Sequence, residues 1–397
     1  METVAGTQLG TDQDEQALAR KTRLLQLAIF AAAFDNFLIA PMLVSVASGL
    51  GGTLAEAAGI ASAYFLAYGL MQPVWGVASD RLGRVTVVRL GLLGAALAGA
   101  ACTVVPSIGL LMFGRLLAGG AMAGVMPSAL TYAGDAFPME RRQGAITDLN
   151  AAYAAGTATG TIAGGAAAAY VSWRVGFAAS AALAGAAVVI LARLPRAGSV
   201  AAAPLLQRVR AVMAAPWALV VVLLALTEGA ALLGFLTFLA PALVAAGHKP
   251  AVAGLVVAAY GVAVLLWTRV VKLSIRRWSP PVLMAMGAVM LVAGYGSAAL
   301  SPGVVGVLAA SVLVGGALAF LHSMLQVWAT EVVPSARALM VALFAGALFV
   351  GSAASTRFFA PLAGQGAFSR LFTIATLMAI PVGMAAVASR LRYAHRN

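Results

Sequence analysis

The sequence predicts an all-α polytopic membrane protein of twelve transmembrane helices in two pseudo-symmetric six-helix bundles, and three observations predict it. The chain is 62% apolar and 9% charged, with a mean hydropathy of +0.98. Soluble domains carry about 25% charged residues, so the solvent of this chain is lipid. Apolar runs of about 20 residues follow one another from Leu24 to Arg390, each long enough to cross a hydrocarbon core of about 30 Å as a helix. Asp135, Pro138 and Arg141 recur as Glu331, Pro334 and Arg337, each displaced by 196 residues in a chain of 397. The protein is written twice.

Residues 1–23 are polar and read as an N-terminal tail. Glu2, Asp12, Asp14 and Glu15 precede Arg20 there, which is not the basic start of a secretory signal. Spans 24–48, 58–79, 85–105, 108–133, 144–170 and 174–194 form the first bundle, over residues 24–194. The pattern then breaks into Pro195, Gly198, Ser199, Pro204, Gln207, Arg208 and Arg210, so residues 195–215 are a linker. Spans 216–243, 251–271, 280–300, 303–329, 336–359 and 368–390 form the second bundle, over 216–391, before a short tail at 392–397. The runs are continuous rather than alternating, and Ala, Leu, Gly and Val dominate them, which favours helices over a barrel.

An even number of spans returns both termini to one side. Of the 25 Lys and Arg, only Arg174, Lys249, Arg357 and Arg370 fall on the other side, and Arg115 lies within a span. By the positive-inside rule both termini are cytoplasmic, in a multi-pass protein of the cytoplasmic (inner) membrane. Six spans per half give the halves one orientation about an axis along the membrane normal. Span 1 is then equivalent to span 7, and span 4 to span 10.

The net charge of +13 follows from basic loops facing anionic headgroups, so no nucleic-acid partner is expected. Cys102 is the one cysteine and sits in an apolar run, which excludes disulfides and zinc or iron–sulfur clusters and makes it a packing residue. The glycine runs lie within apolar helices and lack a phosphate-loop lysine, so no ATP hydrolysis and no enzyme activity are expected. The expected partners are a small-molecule substrate, protons and lipid. A monomer without cofactor, with the proton as coupling ion, completes the expectation.

Trp75–Arg84 reads WGVASDRLGR and Trp267–Arg276 reads WTRVVKLSIR, the same Trp-to-Arg spacing displaced by 192. Gly76, Ser79, Asp80, Arg81, Gly83 and Arg84 resemble the loop 2–3 signature of the major facilitator superfamily, and with the P-x-x-R strings and the twelve-span plan the resemblance covers essentially the whole chain. It implies a cytoplasmic gate made of this loop, Asp135, Arg141, Glu331 and Arg337. In the family the acid, here Asp80, faces a helix N-terminus of the second half, and the final arginine, here Arg84, pairs with an acid at the end of span 4, which Asp135 matches. Ordinary loop capping is the plainer role for this set. The second copy carries Lys272 in place of Asp80, so the latch is one-sided.

Asp35 stands near the middle of span 1 in FDNFLIAP, beside Asn36. An ionised carboxylate in lipid costs at least a few kcal/mol, so it faces a cavity or a partner; Asp35 is a candidate proton carrier or one member of a fixed ion pair. Glu228 in span 7 answers to the same argument, or else makes an interhelical hydrogen bond. Arg115 in span 4 needs an anionic partner, for which Asp35 is the candidate; the resemblance implies a part in proton coupling, and a static tie between spans 1 and 4 is the alternative. Gly156, Gly160, Gly164 and Gly165 in span 5 let another helix approach closely. Their segment GTATGTIAGG resembles the antiporter signature of drug exporters, with Thr161 in place of its proline. Tyr64, Tyr68, Tyr153, His322 and Gln326 are candidate polar contacts of a substrate cavity.

The sequence is thus read as a proton-coupled exporter of small amphiphilic molecules, a drug or metabolite, working by alternating access. The alternatives are a proton symporter or facilitator importing a sugar or organic acid, and a non-transporting membrane receptor or assembly subunit.

Overall fold

The structure is a computed structural model that describes residues 2–195 and 204–395. Arg196, Gly198, Ser199 and Arg396 lie outside the described residues. Eleven described segments are long and apolar enough to cross a membrane: Leu18–Gly49, Leu54–Leu82, Arg84–Cys102, Ile108–Ala136, Trp173–Arg193, Pro216–Ala245, Pro250–Ser274, Pro280–Leu300, Val304–Val332, Pro334–Gly364 and Phe368–Ala394. Met139–Tyr170 is a helix of comparable length, its apolarity diluted by Thr147, Asp148, Asn150, Thr157, Thr159 and Thr161. It packs between the first segment and Pro250–Ser274. In chain order these are spans 1–12, with Met139–Tyr170 as span 5.

The segment ends follow local chemistry. Thr53 and Glu56 form a reciprocal capping box at the start of span 2, with Thr53 N donating to Glu56 Oε2 at 2.7 Å. Ser107 and Ser172 cap spans 4 and 6. Spans 7, 8 and 9 open on Pro216, Pro250 and Pro280, where a missing N–H costs nothing. Gly83 holds φ +87 between spans 2 and 3, a conformation that a side chain disfavours.

Two elements differ from the sequence reading. The polar N-terminal residues are not a separate tail, because one helix runs Glu2–Phe37 before a 3₁₀ turn, Ala40–Met42, at Pro41. No proline interrupts the chain before that one. The linker also contains a helix, Leu205–Met213.

The internal repeat is visible in the bonds. The indole N–H of Trp75 donates to Gly120 O at 2.7 Å and that of Trp267 to Val312 O at 3.2 Å; each bond closes 45 residues. The halves meet where span 2 packs on span 11 and span 5 on span 8. Gly69 and Gly346 face each other across the first seam, where a Cβ on either would stand 2.6 to 2.8 Å from the other's carbonyl oxygen. Ser62 Oγ donates to Ala353 O across the same seam at 2.8 Å. Of the expected glycine stripe, Gly156, Gly160 and Gly164 abut the backbone of Phe30, Phe34 and Leu38 in span 1, whereas Gly165 faces Pro250 and Gly254 of the other half. One short run therefore serves two interfaces.

Spans 7 and 10 each contain a π-helical turn, Ala230–Gly234 and Leu318–His322. Such a turn disturbs the regular carbonyl ladder, and in lipid those carbonyls need partners. For span 7, span 11 supplies them: Ser352 Oγ donates to Gly229 O at 3.0 Å, Ser355 Oγ to Ala230 O at 2.8 Å and Thr356 Oγ1 to Gly234 O at 3.3 Å.

Candidate functional site

Span 1 places Asp35 and span 4 places Arg115 in one buried contact, with Asp35 1% and Arg115 0% exposed. Arg115 Nη1 donates to Asp35 Oδ1 at 2.7 Å and Nη2 to the Asp35 backbone carbonyl at 2.9 Å. Ser180 Oγ of span 6, which the sequence reading did not single out, donates to the same Oδ1 at 2.7 Å. The guanidinium lies 4.2 Å from the Tyr64 ring centroid and 5.6 Å from that of Phe177. Tyr64 is thus a wall of this pair.

The second half has its own pair. Glu228 is 0% exposed, with Oε2 at 3.2 Å from His322 Nδ1 while Oε1 makes no hydrogen bond. Glu228 stands two residues before the π turn of span 7, and His322 closes the π turn of span 10, its ring 5.3 Å from Phe344. Spans 1 and 4 thus carry one acid–base pair, and their equivalents, spans 7 and 10, carry the other. Asp35 precedes Pro41 by six residues and Glu228 precedes Pro241 by thirteen.

Aromatic rings from both halves fill the space around the pairs. Phe37 meets Tyr153 at 6.2 Å and Tyr260 at 5.9 Å; Tyr68 meets Tyr64 at 5.8 Å and Phe349 at 4.3 Å. Asn36 is buried beside Tyr153. Gln326 follows His322 by one turn and is exposed.

At the side of the termini, Arg84 Nη1 bonds Asp80 Oδ1 at 2.6 Å and Ser79 Oγ at 2.9 Å, with Nε 3.6 Å from Asp135 Oδ2. The structure thus brings Arg84 and Asp135 together. Asp80 differs: its Oδ2 accepts from Arg208 of the linker helix at 3.2 Å, so a linker cation occupies the acid in place of a helix N-terminus. Glu331 is not a copy of Asp135 in its contacts, because Arg390 of span 12 takes it at 2.8 Å. In the loop 8–9 copy Lys272 stands where the first loop has Asp80, so Arg276 lacks the acid of the first arrangement, and Lys272 reaches Thr147 Oγ1 of the first half at 3.2 Å. Arg81 is exposed on span 2, and Gly76 approaches Ala342 of span 11. Arg141 opens span 5 with its N–H on Pro138 O, and Arg337 Nε donates to Thr330 O at 3.2 Å.

The bond from Asp80 to Arg208 carries a prediction. Asp80→Asn and Arg208→Gln should each raise, several-fold, the labelling from the terminal side of cysteines placed between the halves in a Cys102→Ala background, while Arg210→Gln should not. Equal labelling in the parent and all three variants would remove the linker helix from the gate.

The family model for the Major Facilitator Superfamily matches residues 25–356. The efflux pump dotC of Dothistroma septosporum is 29% identical over 150 residues, 38% of this chain and 26% of that protein. A triacylglyceride transporter of Mycolicibacterium smegmatis is 26% identical over 141 residues, 35% of this chain and 25% of that one. The matched segments thus span about a quarter of the length of these relatives. Among solved structures, a mutant form of the nucleoside transporter NupG superposes with a TM-score of 0.77 at 15% identity, covering 93% of this chain and 99% of that chain. With its apolar helices in two six-span halves and a family match over most of its length, this chain belongs to the Major Facilitator Superfamily.

Proposed function

We propose that the protein exports small amphiphilic molecules in exchange for protons, by alternating access between its two halves. The observation that carries this reading is the pair of buried acids, Asp35 and Glu228, one in each half of a chain solvated by lipid. Ionisable groups at that depth are costly and are retained at substrate and proton pathways. The aromatic layer of Phe37, Tyr68, Tyr153, Tyr260 and Phe349 offers apolar walls with few polar atoms, suited to an amphiphile. The similarity of the matched segment to an efflux pump points in the same direction. Protons entering down 100 mV and one pH unit supply about 2.3 plus 1.4 kcal/mol each, enough for a several-hundred-fold gradient of a neutral solute.

The reading is tested with inverted and right-side-out vesicles loaded with a pH dye, to which lipophilic cations, sugars and organic acids are added in turn. Export predicts that a lipophilic compound releases protons from energised inverted vesicles. Proton movement on adding a sugar or organic acid, with none for the lipophilic compounds, makes the protein an importer instead. No proton movement with any solute that it carries overturns the coupling.

A further inference from the structure

We infer that the coupling proton is held by the Glu228–His322 pair of the second half, and that Asp35–Arg115 is a permanent brace that never releases or takes one; this rests on the proton-coupled reading above. The two pairs differ in chemistry. A guanidinium has five donors, no acceptor, and keeps its proton in proteins. Arg115 donates once to the Asp35 carboxyl and once to its backbone carbonyl, and Ser180 donates to the same carboxyl oxygen; a carboxylate against this fixed cation makes a neutral pair. Adding a proton to Asp35 would strand a fully buried guanidinium, a state that costs several kcal/mol.

Glu228 has no such partner. An imidazole is neutral or cationic according to one proton, and His322 meets only one oxygen of the carboxyl. As carboxylate and neutral imidazole the pair carries −1. One added proton on the carboxyl brings it to zero, with the neutral ring still bonded to Oε2. Asp35 Oδ2 and Glu228 Oε1 are both buried without a hydrogen bond, so a vacant oxygen does not separate the two acids; the fixed or variable charge of the partner does. His322 is 16% exposed at its side chain while Glu228 is wholly enclosed, so the ring is the more accessible member of the pair.

The surroundings leave this charge uncompensated. From span 8 the titratable group within electrostatic reach of Glu228 is Tyr260. Span 11 brings the Phe344 ring to His322 and hydroxyls to the span 7 carbonyls. The Tyr295 hydroxyl of span 9 is committed to Leu232 O. The charged residues of the packed helices stand toward their ends: Arg208 and Arg210 on the linker helix, Arg269 and Lys272 on span 8, Glu331 on span 10, Arg337 and Arg357 on span 11, and Arg370, Arg390 and Arg392 on span 12. Arg208 is held by Asp80, and Arg390 by Glu331.

The test is infrared difference spectroscopy of the full chain in lipid nanodiscs across a pH titration, following the carbonyl stretch of a protonated buried carboxyl. This needs no substrate. The band should vanish in Glu228→Gln, shift its midpoint in His322→Gln, and persist in Asp35→Asn. If Asp35→Asn does not fold, Asp35→Asn with Arg115→Gln replaces it. A band lost with Asp35 and kept without Glu228 overturns the inference. Vesicle flux separates this from the parent reading. A Glu228 band in a protein that moves no protons leaves the site and removes the exchange, whereas proton-linked flux that survives Glu228→Gln removes the site alone.

Discussion

Replacing Arg115 with methionine is expected to destabilise the protein by about 3–5 kcal/mol, more than replacing Arg115 and Asp35 together. The single change leaves a carboxylate that is 1% exposed with only the Ser180 hydroxyl on its Oδ1, and an uncompensated buried charge is what makes broken buried pairs costly. The double change, Asp35→Asn with Arg115→Met, removes both charges and keeps the volume, and such replacements of whole pairs are often close to neutral. Thermal unfolding in detergent of wild type, both singles and the double closes the cycle. Losses that simply add would mean that the groups do not act as a pair.

The second large effect is expected at the seam between the halves. Gly69→Val sets a branched side chain against Gly346 O at 2.6 Å and Val350 N at 2.9 Å, both backbone atoms that no rotamer change relieves. Overpacking of this kind costs about 1–3 kcal/mol. Because the collision lies between two bodies, the halves can relieve it by moving apart, and about 1.4 kcal/mol is a tenfold shift in their equilibrium. Spin-label distances between spans 2 and 11 should therefore shift in population by roughly ten- to a hundred-fold, with transport falling in step. Gly160→Val is the control: it meets Phe34 backbone within one half, so it should lower thermal stability without a new distance population. Identical behaviour of the two variants would argue that the seam does not move.

The fold is legible because lipid simplifies the code. A run of about 20 apolar residues in that solvent has few choices besides a helix, and the doubled Asp135/Glu331 string carries the symmetry. Asp35 and Arg115 are legible as partners because each is expensive alone. Glu228 and His322 each stand out in the sequence, yet their pairing does not, since it depends on two π turns that change helix register without a signature in residue type. Ser180 gives no signal, being one hydroxyl in an apolar helix. The linker helix does give one: Leu205, Val209 and Val212 recur at helical spacing around Arg208, a pattern that the prolines and glycine beside it mask when the segment is taken as a boundary alone.

The indole bonds of Trp75 and Trp267 bear on how the protein is made. Each closes within 45 residues and entirely inside its own half, so the first is available once span 4 has left the ribosome, before any of the second half exists. Domains fold as units in order of synthesis, and here each unit carries its own fastener. Two polypeptides cut between Pro195 and Pro204 and produced together should accordingly insert and assemble. The later copy then serves as a template-free repeat of an assembly step the membrane has already accepted once.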